Sequence, residues 1–520
     1  MADEVDSRQP RPEGGLDELR QQRLRNLESL RASGVEPFAR GYDRTHSVAA
    51  AREAFEAVEA AHTPVDGEGD PRFGPVRLAG RITRHRPQGK RGFADLLDAS
   101  GSLQLMATLD TLGEGGMALF RALDLGDIVG AEGVLMRTRS GEATLELTGL
   151  VMLTKALRPL PDKWHGLKDP ELRFRQRHAD LIVNPEARRV LMTRSRAVTA
   201  MRAFFDSRGF VEVETPMLHR VAGGAAARPF LTHHNTLDLD LKLRIAVELH
   251  HKRLLVGGFE RIYEIGRAFR NEGIDHLHNP EFTILEAYEA YTDLDGMILL
   301  TESLVKAVAD QVLGDAAGSH EYDGQTINLG GNWQRREMLD LVRENNPGLD
   351  VEDNGALQAQ AGRLGATPRE RDWGELVYEV FERSVEKTLV QPTFVTGFPV
   401  SVSPLARRRG DDPRLVERFE LFIAGGEQAN AFSELTDPLD QRARFEQQLR
   451  ASAAGDEETH PMDEEFIAAL EQGMPPAGGM GMGVDRLVML LAGVANIREV
   501  LTFPLMRDRP SDGPDWPEEA

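Results

Sequence analysis

The residues best suited to chemistry lie in one stretch, residues 264–288. An apolar run ends at Arg270 and Glu272, a short polar loop follows, and a second apolar run returns to Glu286 and Tyr288. Alternate residues of a strand share a face, so this acid and this phenol lie on the same surface. An arginine, acids and a flat ring on one surface suit a nucleotide phosphate together with a cationic ligand. An antiparallel hairpin held by salt bridges is the alternative, and the spacing alone does not decide between the two.

Two later stretches also place polar groups where a ligand could bind. The turn and strand over 425–436 carries four closely spaced candidates: Glu427, Asn430, Phe432 and Glu434. The run Gly478–Arg486 alternates glycine with other residues and precedes an apolar helix. Alternating glycines let a strand pack closely beneath a ligand, and the N-terminus of a helix suits an anion. The Walker pattern Gly-x4-Gly-Lys-Ser/Thr does not occur, which argues against a P-loop enzyme.

The composition indicates a soluble, acidic, multidomain protein. The chain has 520 residues, a formal net charge of -22 and no cysteine. Disulfides, thiol catalysis and cysteine-bound zinc are therefore excluded. A generally basic nucleic-acid wrapper is disfavoured, although a local basic face could still bind RNA. The N-terminus lacks an apolar signal core, and the longest apolar run, 487–497, is too short to span a bilayer, so we expect a cytoplasmic protein with no membrane partner.

The order of elements predicts an α+β protein with several segments. Residues 1–65 form an N-terminal extension with an arginine-rich helix. Residues 66–155 contain five short strands, which fits a closed barrel of the oligonucleotide-binding (OB) type. Residues 156–510 form a larger domain of strands and helices, with an inserted α-rich region at about 315–390, and residues 511–520 form a flexible tail.

Within the larger domain the patterns predict particular elements. A long helix covers 185–208, and a strand over 210–216 ends at Pro216, which cannot donate to a sheet ladder. A short strand is expected over 243–246, and a helix over 336–343.

The barrel carries groups that could bind RNA. Five basic residues cluster on its first hairpin: Arg81, Arg84, Arg86, Lys90 and Arg91. Phe93 lies beside them, and cations next to an exposed ring can hold single-stranded RNA by phosphate contact and base stacking. The alternative is that Phe93 belongs to the barrel core.

Three segments together resemble the signature motifs of the class II aminoacyl-tRNA synthetases. The long helix and the strand ending at Pro216 resemble motif 1, which builds the dimer interface in that family. Phe269-Arg270-Asn271-Glu272, with His278 and Phe282 after it, resembles motif 2, and Gly481–Arg486 resembles motif 3. The resemblance implies a class II antiparallel sheet flanked by helices, preceded by the OB-fold barrel.

Further segments resemble the lysine-specific branch of subclass IIb. They are Ala156–Asp162, Gly223–Phe230, Val256–Arg261 and Phe432–Leu435. The barrel also precedes the catalytic core in that subclass, and the resemblance covers about residues 70 to 510. It implies an enzyme that activates L-lysine with ATP and transfers it to the 3′ end of tRNA-Lys, as a homodimer formed through motif 1.

The resemblance assigns an ATP site. Arg270 matches the arginine that binds the α-phosphate and the amino-acid carboxylate, and Glu272 matches the acid that reads the adenine amino group. Phe282 and Arg486 match the pair that sandwiches adenine, and His278 matches a γ-phosphate contact. The full set for ATP is Arg270, Glu272, His278, Asn279, Phe282 and Arg486, with Arg270 and Arg486 as the catalytic residues. Glu420 and Glu427 match the acids that bind the Mg²⁺ cofactor.

The resemblance also assigns an amino-acid site. Its residues are Gly224, Glu248, Arg270, Glu286, Tyr288, Asn430, Phe432 and Glu434. A lysine ammonium needs a buried carboxylate partner, and a polar site of this kind rejects apolar competitors. The related aspartyl and asparaginyl enzymes would need a cation where this chain has Glu434, so the acids favour lysine. In the barrel, Phe93, Gln104 and Glu142 match anticodon-reading positions.

The resemblance is also compatible with two other functions. A paralogue that transfers lysine to a protein typically lacks the N-terminal barrel, which this chain has. An inactive tRNA-binding paralogue would not be expected to keep the motif residues intact. Leu277 stands where many relatives carry arginine, and the turn from Gly426 to Ala431 also departs from the usual pattern.

Overall fold

The computed structural model describes residues 14–62, 70–160, 167–225, 227–367, 369, 371–453 and 460–507. The predicted tail over 511–520 lies outside these residues. So do the first thirteen residues of the predicted extension, and residues 63–69 and 161–166 near the predicted domain borders. The chain divides into two compact units, with the division between Leu167 and Lys168.

The N-terminal unit contains a closed five-stranded barrel, which confirms the predicted OB fold. Its strands are β1 Phe73–Gln88, β2 Arg91–Leu97, β3 Ser102–Thr108, β4 Ile128–Arg137 and β5 Ala143–Thr154. Its helices are α1 Gly14–Ala32, α2 Val48–Ala61 and α3 Leu109–Arg121. The strands pair in the order β1-β2-β3-β5-β4, with β3 and β5 parallel and the other pairs antiparallel.

Alternation along the barrel strands separates the core from an outer face. On β2, Ala94 and Leu96 are buried in the core, whereas Phe93 is half-buried on the other side of the strand. The strand period of two puts Phe93 outside the core, so the alternative of a core phenylalanine is wrong. The arginine-rich helix α1 is anchored by Arg23, which donates to the carbonyls of Leu125, Ala156 and Arg158.

The C-terminal unit is built on an eight-stranded sheet with the order β14-β15-β16-β17-β18-β11-β10-β6. The strands of the unit are β6 Val211–Glu212, β7 Leu218–His219, β8 Leu231–His234, β9 Leu239–Leu243, β10 Arg261–Phe269, β11 Glu281–Ala290, β12 His320–Tyr322, β13 Gln325–Ile327, β14 Gln334–Glu337, β15 Thr393–Thr396, β16 Arg418–Ile423, β17 Gly426–Ser433 and β18 Ala477–Gly483. The six central strands are antiparallel neighbours, and the edge strands β14 and β6 pair in parallel. This architecture confirms the predicted antiparallel sheet flanked by helices.

Twelve α-helices in the described part of this unit surround the sheet. They are α4 Pro170–Arg175, α5 Arg177–Val183, α6 Pro185–Asp206, α7 Glu248–Val256, α8 Leu294–Leu313, α9 Met338–Asn345, α10 Asn354–Arg363, α11 Trp373–Ser384, α12 Pro438–Ala453, α13 Glu464–Leu470, α14 Val484–Ala492 and α15 Ile497–Val500.

The sheet has one apolar face and one polar face, because its residues alternate. Leu285 and Ala287 of β11, and Met480 and Met482 of β18, lie in the main core with residues of α6, α8 and α14. The residues between them point to the opposite face, where glycines and polar groups predominate. The polar face therefore has room for a ligand.

Three predicted elements differ from the structure. The strand expected over 243–246 ends at Leu243. The backbone of Arg244 instead hydrogen-bonds to the backbones of Met217 and Phe269, and its side chain donates to Glu264. Residues 336 and 337 are strand rather than helix, since β14 pairs with β15 at the sheet edge. The strand expected over 210–216 has only two residues in the ladder. None of the helices in the described ranges has the length and apolarity needed to cross a membrane.

Candidate active site

A cavity of about 480 Å³ lies on the polar face of the sheet. It is lined by every residue that the sequence assigned to the ATP, metal and amino-acid sites, with the exception of Glu434. The predicted residues from six different segments of the chain are therefore brought together. Its remaining lining includes Tyr378, Arg418 and His460, which sequence reasoning did not select.

The strand register places the site in two cross-strand rows. One row runs from Glu420 through Asn430 and Gly481 to Glu286. The other row crosses the same four strands, β16, β17, β18 and β11, from Arg418 through Phe432 and Gly479 to Tyr288. In both rows the residue on β18 is glycine.

The glycines of β18 make space that other residues would fill. A Cβ atom on Gly479 would overlap Glu434 Oε1 and the Tyr288 ring. At Gly481 the nearest side-chain atom would be Glu286 Cγ, at 3.8 Å, so the space in front of that strand is open. The alternating glycines therefore form the floor of the cavity, as their spacing predicted.

Arg270 lines the cavity and follows β10 directly. Its guanidinium is 5.1 Å from the ring centroid of Phe282, and its Nε has no hydrogen-bond partner among the described residues. Burial lowers the pKa of Arg270, while the nearby Glu272 and Glu427 carboxylates act against that shift. Arginine keeps its charge in proteins, so the site presents a buried cation that can bind an anionic group.

Arg486 lies in the first turn of helix α14 and lines the same cavity. Its guanidinium donates to the Glu427 carbonyl at 3.0 Å and lies 3.3 Å from Glu427 Oε2. Its other nitrogen is 3.2 Å from Nε2 of His278. Arg270 rather than Arg486 therefore lies against Phe282, the ring assigned to adenine. Asn279 is buried beside them and donates to the Glu281 carbonyl at 2.6 Å.

Glu420 and Glu427 are the two acids assigned to the metal. Glu420 is buried, and burial together with the Glu427 charge raises its pKa to about 8, although Arg418 lies 2.5 Å away. No cluster of three or more metal-binding side chains occurs in the ranges that the structure describes. Mg²⁺ is commonly held by one or two carboxylates together with substrate phosphates, so this pair fits such an ion.

Glu286 and Tyr288 form the buried end of the cavity on β11. Glu286 Oε2 accepts a hydrogen bond from the Tyr288 hydroxyl at 2.9 Å, and Oε1 accepts one from the Val247 backbone N–H at 3.3 Å. Burial raises the pKa of Glu286, and burial with the adjacent carboxylate raises the pKa of Tyr288 well above its usual range. Burial disfavours the ionised form of Glu286, and a cationic ligand beside it would stabilise that form.

Glu434 lies beneath the cavity floor, where it pairs with Lys252. The Lys252 ammonium is fully buried, 2.5 Å from Glu434 Oε2 and 2.7 Å from Glu248 Oε1. Burial raises the pKa of Glu434 to about 8, against the attraction of Lys252. Lys252 therefore links Glu434 to Glu248, two of the acids that the resemblance assigned to the amino-acid site.

Lys252 was missed by sequence reasoning, although a signal was present. It follows Glu248 by four residues on α7, which is the spacing of neighbours on a helix surface. Lysine is also uncommon in this arginine-rich chain. Its burial, however, depends on contacts with Phe432 and Glu434, which are distant in sequence, and the local pattern does not contain them.

The remaining predicted residues complete the amino-acid end. Gly224 has a left-handed backbone, φ +88°, and a Cβ there would lie 3.2 Å from Glu248 Cβ. Asn430 accepts from Arg418 Nε at 3.0 Å, and the Phe432 ring centroid is 5.4 Å from the Lys252 ammonium. These residues lie along one side of the cavity and can contact an extended aliphatic chain.

The barrel residues form a separate group in the N-terminal unit. Phe93 and Gln104 lie on the outer face of neighbouring strands, and Gln104 accepts a hydrogen bond from the Thr144 hydroxyl at 2.9 Å. Glu142 is exposed in the turn between β4 and β5. The face offers one ring and two polar groups for stacking and base-edge contacts.

The C-terminal cavity can thus hold an anion, a flat base and a cation at the same time. Arg270 and Arg486 provide positive charge, Phe282 provides an aromatic face, and Glu286 with Tyr288 provides a buried partner for an ammonium group. The arrangement suits a transfer reaction in which charge develops at a phosphate beside the cationic ligand.

Comparison with known proteins agrees with this geometry. Residues 169–507 match the family model for class II tRNA synthetases (D, K and N), and residues 76–153 match the OB-fold nucleic acid binding domain. A lysine–tRNA ligase of Carboxydothermus hydrogenoformans is 52% identical over 498 residues, which cover 95% of this chain and 99% of that protein. The Moorella thermoacetica ligase is 51% identical over 493 residues, 94% of this chain and 97% of that protein. The Bacillus subtilis ligase is 47% identical over 500 residues, 95% of this chain and 98% of that protein.

Proposed function

The chain belongs to the class II tRNA synthetases of the D, K and N group, and we propose that it is a lysine–tRNA ligase. It activates L-lysine with ATP to lysyl-adenylate and transfers the lysyl group to tRNA-Lys. The observation that supports lysine as the substrate is the buried, hydrogen-bonded pair of Glu286 and Tyr288 on the second strand of the hairpin that carries Arg270.

The charges around the amino-acid end support lysine over the other amino acids of the group. Glu248, Glu286 and Glu434 are three buried acidic side chains and Lys252 is one buried ammonium, so the acids outnumber the cations at this end of the site. Lysine brings two ammonium groups, and its carboxylate can pair with Arg270. Aspartate would bring a second carboxylate into this negative region, and asparagine would leave buried acids without a cation, which is costly.

The chemistry needs no general base. The nucleophile is the lysine carboxylate, which is already ionised and attacks the α-phosphate of ATP while pyrophosphate leaves. Arg270 lines the same cavity as the residues assigned to lysine and to ATP, which supports a role in orienting both reactants and stabilising the negative charge that develops. Arg486 supplies a second cation in that cavity.

Mg²⁺ is the cofactor we assign to Glu420 and Glu427. When bound, such an ion neutralises phosphate charge in the transition state. The two carboxylates fit it because Glu420 is a buried acid with a raised pKa, which a divalent cation would stabilise in its ionised form. Arg418 at 2.5 Å from Glu420 orients that carboxylate within the row.

tRNA-Lys is the acceptor we assign to the barrel. The exposed basic hairpin and Phe93 provide phosphate contacts and a stacking surface, while Gln104 and Glu142 offer polar groups for base edges. Transfer to a protein, the alternative activity, would not need this face. The presence of the OB-fold domain therefore favours tRNA as the acceptor.

A homodimer through the motif 1 segment is part of the proposal. Four apolar side chains along this segment are about half exposed: Met192, Val211, Met217 and Leu218. Apolar residues grouped along one segment are typical of an interaction surface. A second copy of the chain is the partner that motif 1 implies.

Charging of a tRNA-Lys transcript tests the function. With ATP, Mg²⁺ and labelled lysine, we expect acid-stable label on tRNA-Lys and none on a tRNA-Asp or tRNA-Asn transcript. Adenylate formation without transfer to tRNA-Lys would contradict the tRNA-ligase assignment and would favour a different acceptor.

A further inference from the structure

The loop between β10 and β11 is organised by one carboxylate, that of Asp275. Its Oδ1 accepts the backbone N–H groups of Leu277 and His278, both at 2.7 Å. The Asp275 backbone N–H donates to the His278 carbonyl at 3.2 Å, which closes the turn. Asp275 therefore fixes the backbone from which the His278 ring projects.

The same carboxylate also holds the ring itself. Nδ1 of His278 lies 2.9 Å from Asp275 Oδ2 and 3.1 Å from Oδ1. Burial opposes ionisation of Asp275, but the hydrogen bonds from the His278 ring and from the backbone outweigh it and lower its pKa to about 2. An ionised carboxylate can only accept, so the ring carries its proton on Nδ1.

The opposite nitrogen of the ring faces the cavity. Nε2 of His278 lies 3.2 Å from a guanidinium nitrogen of Arg486. Arginine has donors and no acceptor, so Nε2 accepts this hydrogen bond and carries no proton in the arrangement observed. Arg486 then bonds Glu427 through its other nitrogen. A chain of four side chains runs from Asp275 through His278 and Arg486 to Glu427.

We propose that Asp275 is a positioning residue for ATP, acting through His278 and Arg486. It keeps the proton on Nδ1, so that Nε2 faces the cavity and orients Arg486, one of the two cations at the nucleotide end. Leu277, the neighbour of His278, is uncharged and packs against the main core, so it adds no charge at this point of the loop. The proposal rests on the proposed function for the identity of the nucleotide.

The loss of Asp275 would affect the ring in a definite way. A free neutral imidazole favours the proton on Nε2, which would point a donor at the guanidinium of Arg486. The His278–Arg486 hydrogen bond would then be lost, and the cation would be less well oriented. One such bond is worth about three- to tenfold in affinity.

The test measures MgATP affinity by calorimetry without any amino acid, and then the KM for ATP and for lysine in pyrophosphate exchange. Asp275→Ala should weaken MgATP binding by about three- to tenfold and leave the KM for lysine unchanged. Asp275→Asn keeps Oδ1 for the backbone turn but replaces Oδ2 with an NH2 group that donates to Nδ1, so it should weaken MgATP binding as Asp275→Ala does while leaving the turn in place. In a His278→Ala background, Asp275→Ala should add nothing.

A spectroscopic measurement separates positioning from folding. In protein labelled with ¹⁵N-histidine, the His278 signals, assigned with the His278→Ala variant, should show the proton on Nδ1 in the wild type. They should shift towards the Nε2–H form both in Asp275→Ala and in Asp275→Asn, because the amide NH2 of asparagine donates to Nδ1.

Two results would overturn the proposal. One is an equal loss of MgATP affinity from Asp275→Ala with and without His278. The other is an unchanged proton position in Asp275→Ala. Because calorimetry with MgATP alone does not depend on the amino acid, these outcomes remain distinct from a failure of lysine to support exchange.

Discussion

Tyr288 donates its hydroxyl to Glu286 Oε2 at 2.9 Å, and the two side chains are neighbours on one face of β11. Both are buried, and β18 opposes them with Gly481 and Gly479 rather than with side chains. Glu286 and Tyr288 share a face of β11, and the glycines opposite them on β18 leave space in front of that face. The Glu286 carboxylate therefore lies at the end of the cavity, with the Tyr288 hydroxyl as a fixed hydrogen-bond donor. That geometry is the basis of the lysine specificity proposed above.

Replacing Tyr288 with phenylalanine tests this hydrogen bond. Glu286 would lose a fixed donor, and its carboxylate would be less well oriented towards an ammonium group. We expect the KM for lysine in pyrophosphate exchange to rise by about three- to tenfold, with the KM for ATP unchanged. Tyr291→Phe is a matched control, because Tyr291 is 73% exposed just beyond the same strand. An equal rise in both Michaelis constants would speak against a role specific to the amino acid.

Replacing Gly479 with alanine tests the cavity floor. The added methyl group would overlap Glu434 Oε1 and the Tyr288 ring, so both residues would have to move. Overpacking of this kind costs about 1–3 kcal/mol of folding stability, and the displacement of both side chains should also weaken lysine binding. Gly410→Ala is the control, since a Cβ there meets no atom within 4 Å. A Gly479→Ala enzyme with unchanged lysine binding would show that Glu434 and Tyr288 are not part of the site.

The affinity for lysine should depend on pH because of Glu434. Burial raises the pKa of Glu434 to about 8, so below that pH the acid holds a proton in the free enzyme. A bound ammonium favours the carboxylate, so binding releases a proton and tightens as pH rises towards 8. We expect the KM for lysine to fall by up to about tenfold per pH unit over this range. In Glu434→Gln the dependence should weaken, and a wild-type KM that is constant or rises between pH 6.5 and 8 would contradict the explanation.

Replacing Phe93 with alanine separates tRNA recognition from amino-acid activation. Phe93 lies on the outer face of the barrel rather than in its core, so its loss should leave the fold intact. Loss of one stacked base costs about 1–3 kcal/mol, so charging of tRNA-Lys should fall roughly five- to 150-fold. Pyrophosphate exchange should be unchanged, and Val151→Ala, a change at another exposed barrel residue, should affect neither reaction. If charging and exchange fell together, the anticodon assignment of Phe93 would be wrong.

The parts of the fold that the sequence predicted are those with local periodicity. The strands that carry Arg270 and Glu286 follow from alternation, and the structure has them over Arg261–Phe269 and Glu281–Ala290. The errors lie where tertiary contacts override local preference. Arg336 and Glu337 belong to a charged edge strand because Gln334–Glu337 pairs with Thr393–Thr396, whereas the sequence pattern extended the following helix over these two residues.

In the candidate site, too, residues within local motifs could be predicted, whereas positions set by tertiary contacts could not. Motif residues such as Arg270 and Glu286 could be selected because their spacing is local. The position of Glu434 could not, since it is set by Gly479 on a neighbouring strand and by Lys252 on a helix distant in sequence. A buried ion pair forms only where the fold brings two distant elements into contact, and local sequence periodicity does not show which elements those are.

The most direct test of lysine activation is ATP–pyrophosphate exchange with each of the twenty amino acids, at saturating ATP and Mg²⁺. We predict exchange with lysine, and a loss of about 10²–10³ in Arg270→Ala, as for removal of one preorganised donor. Arg267→Ala, on the same strand but 37% exposed and paired with Glu281, should retain activity. Exchange that lysine does not support, or that another amino acid supports better, would contradict the central claim.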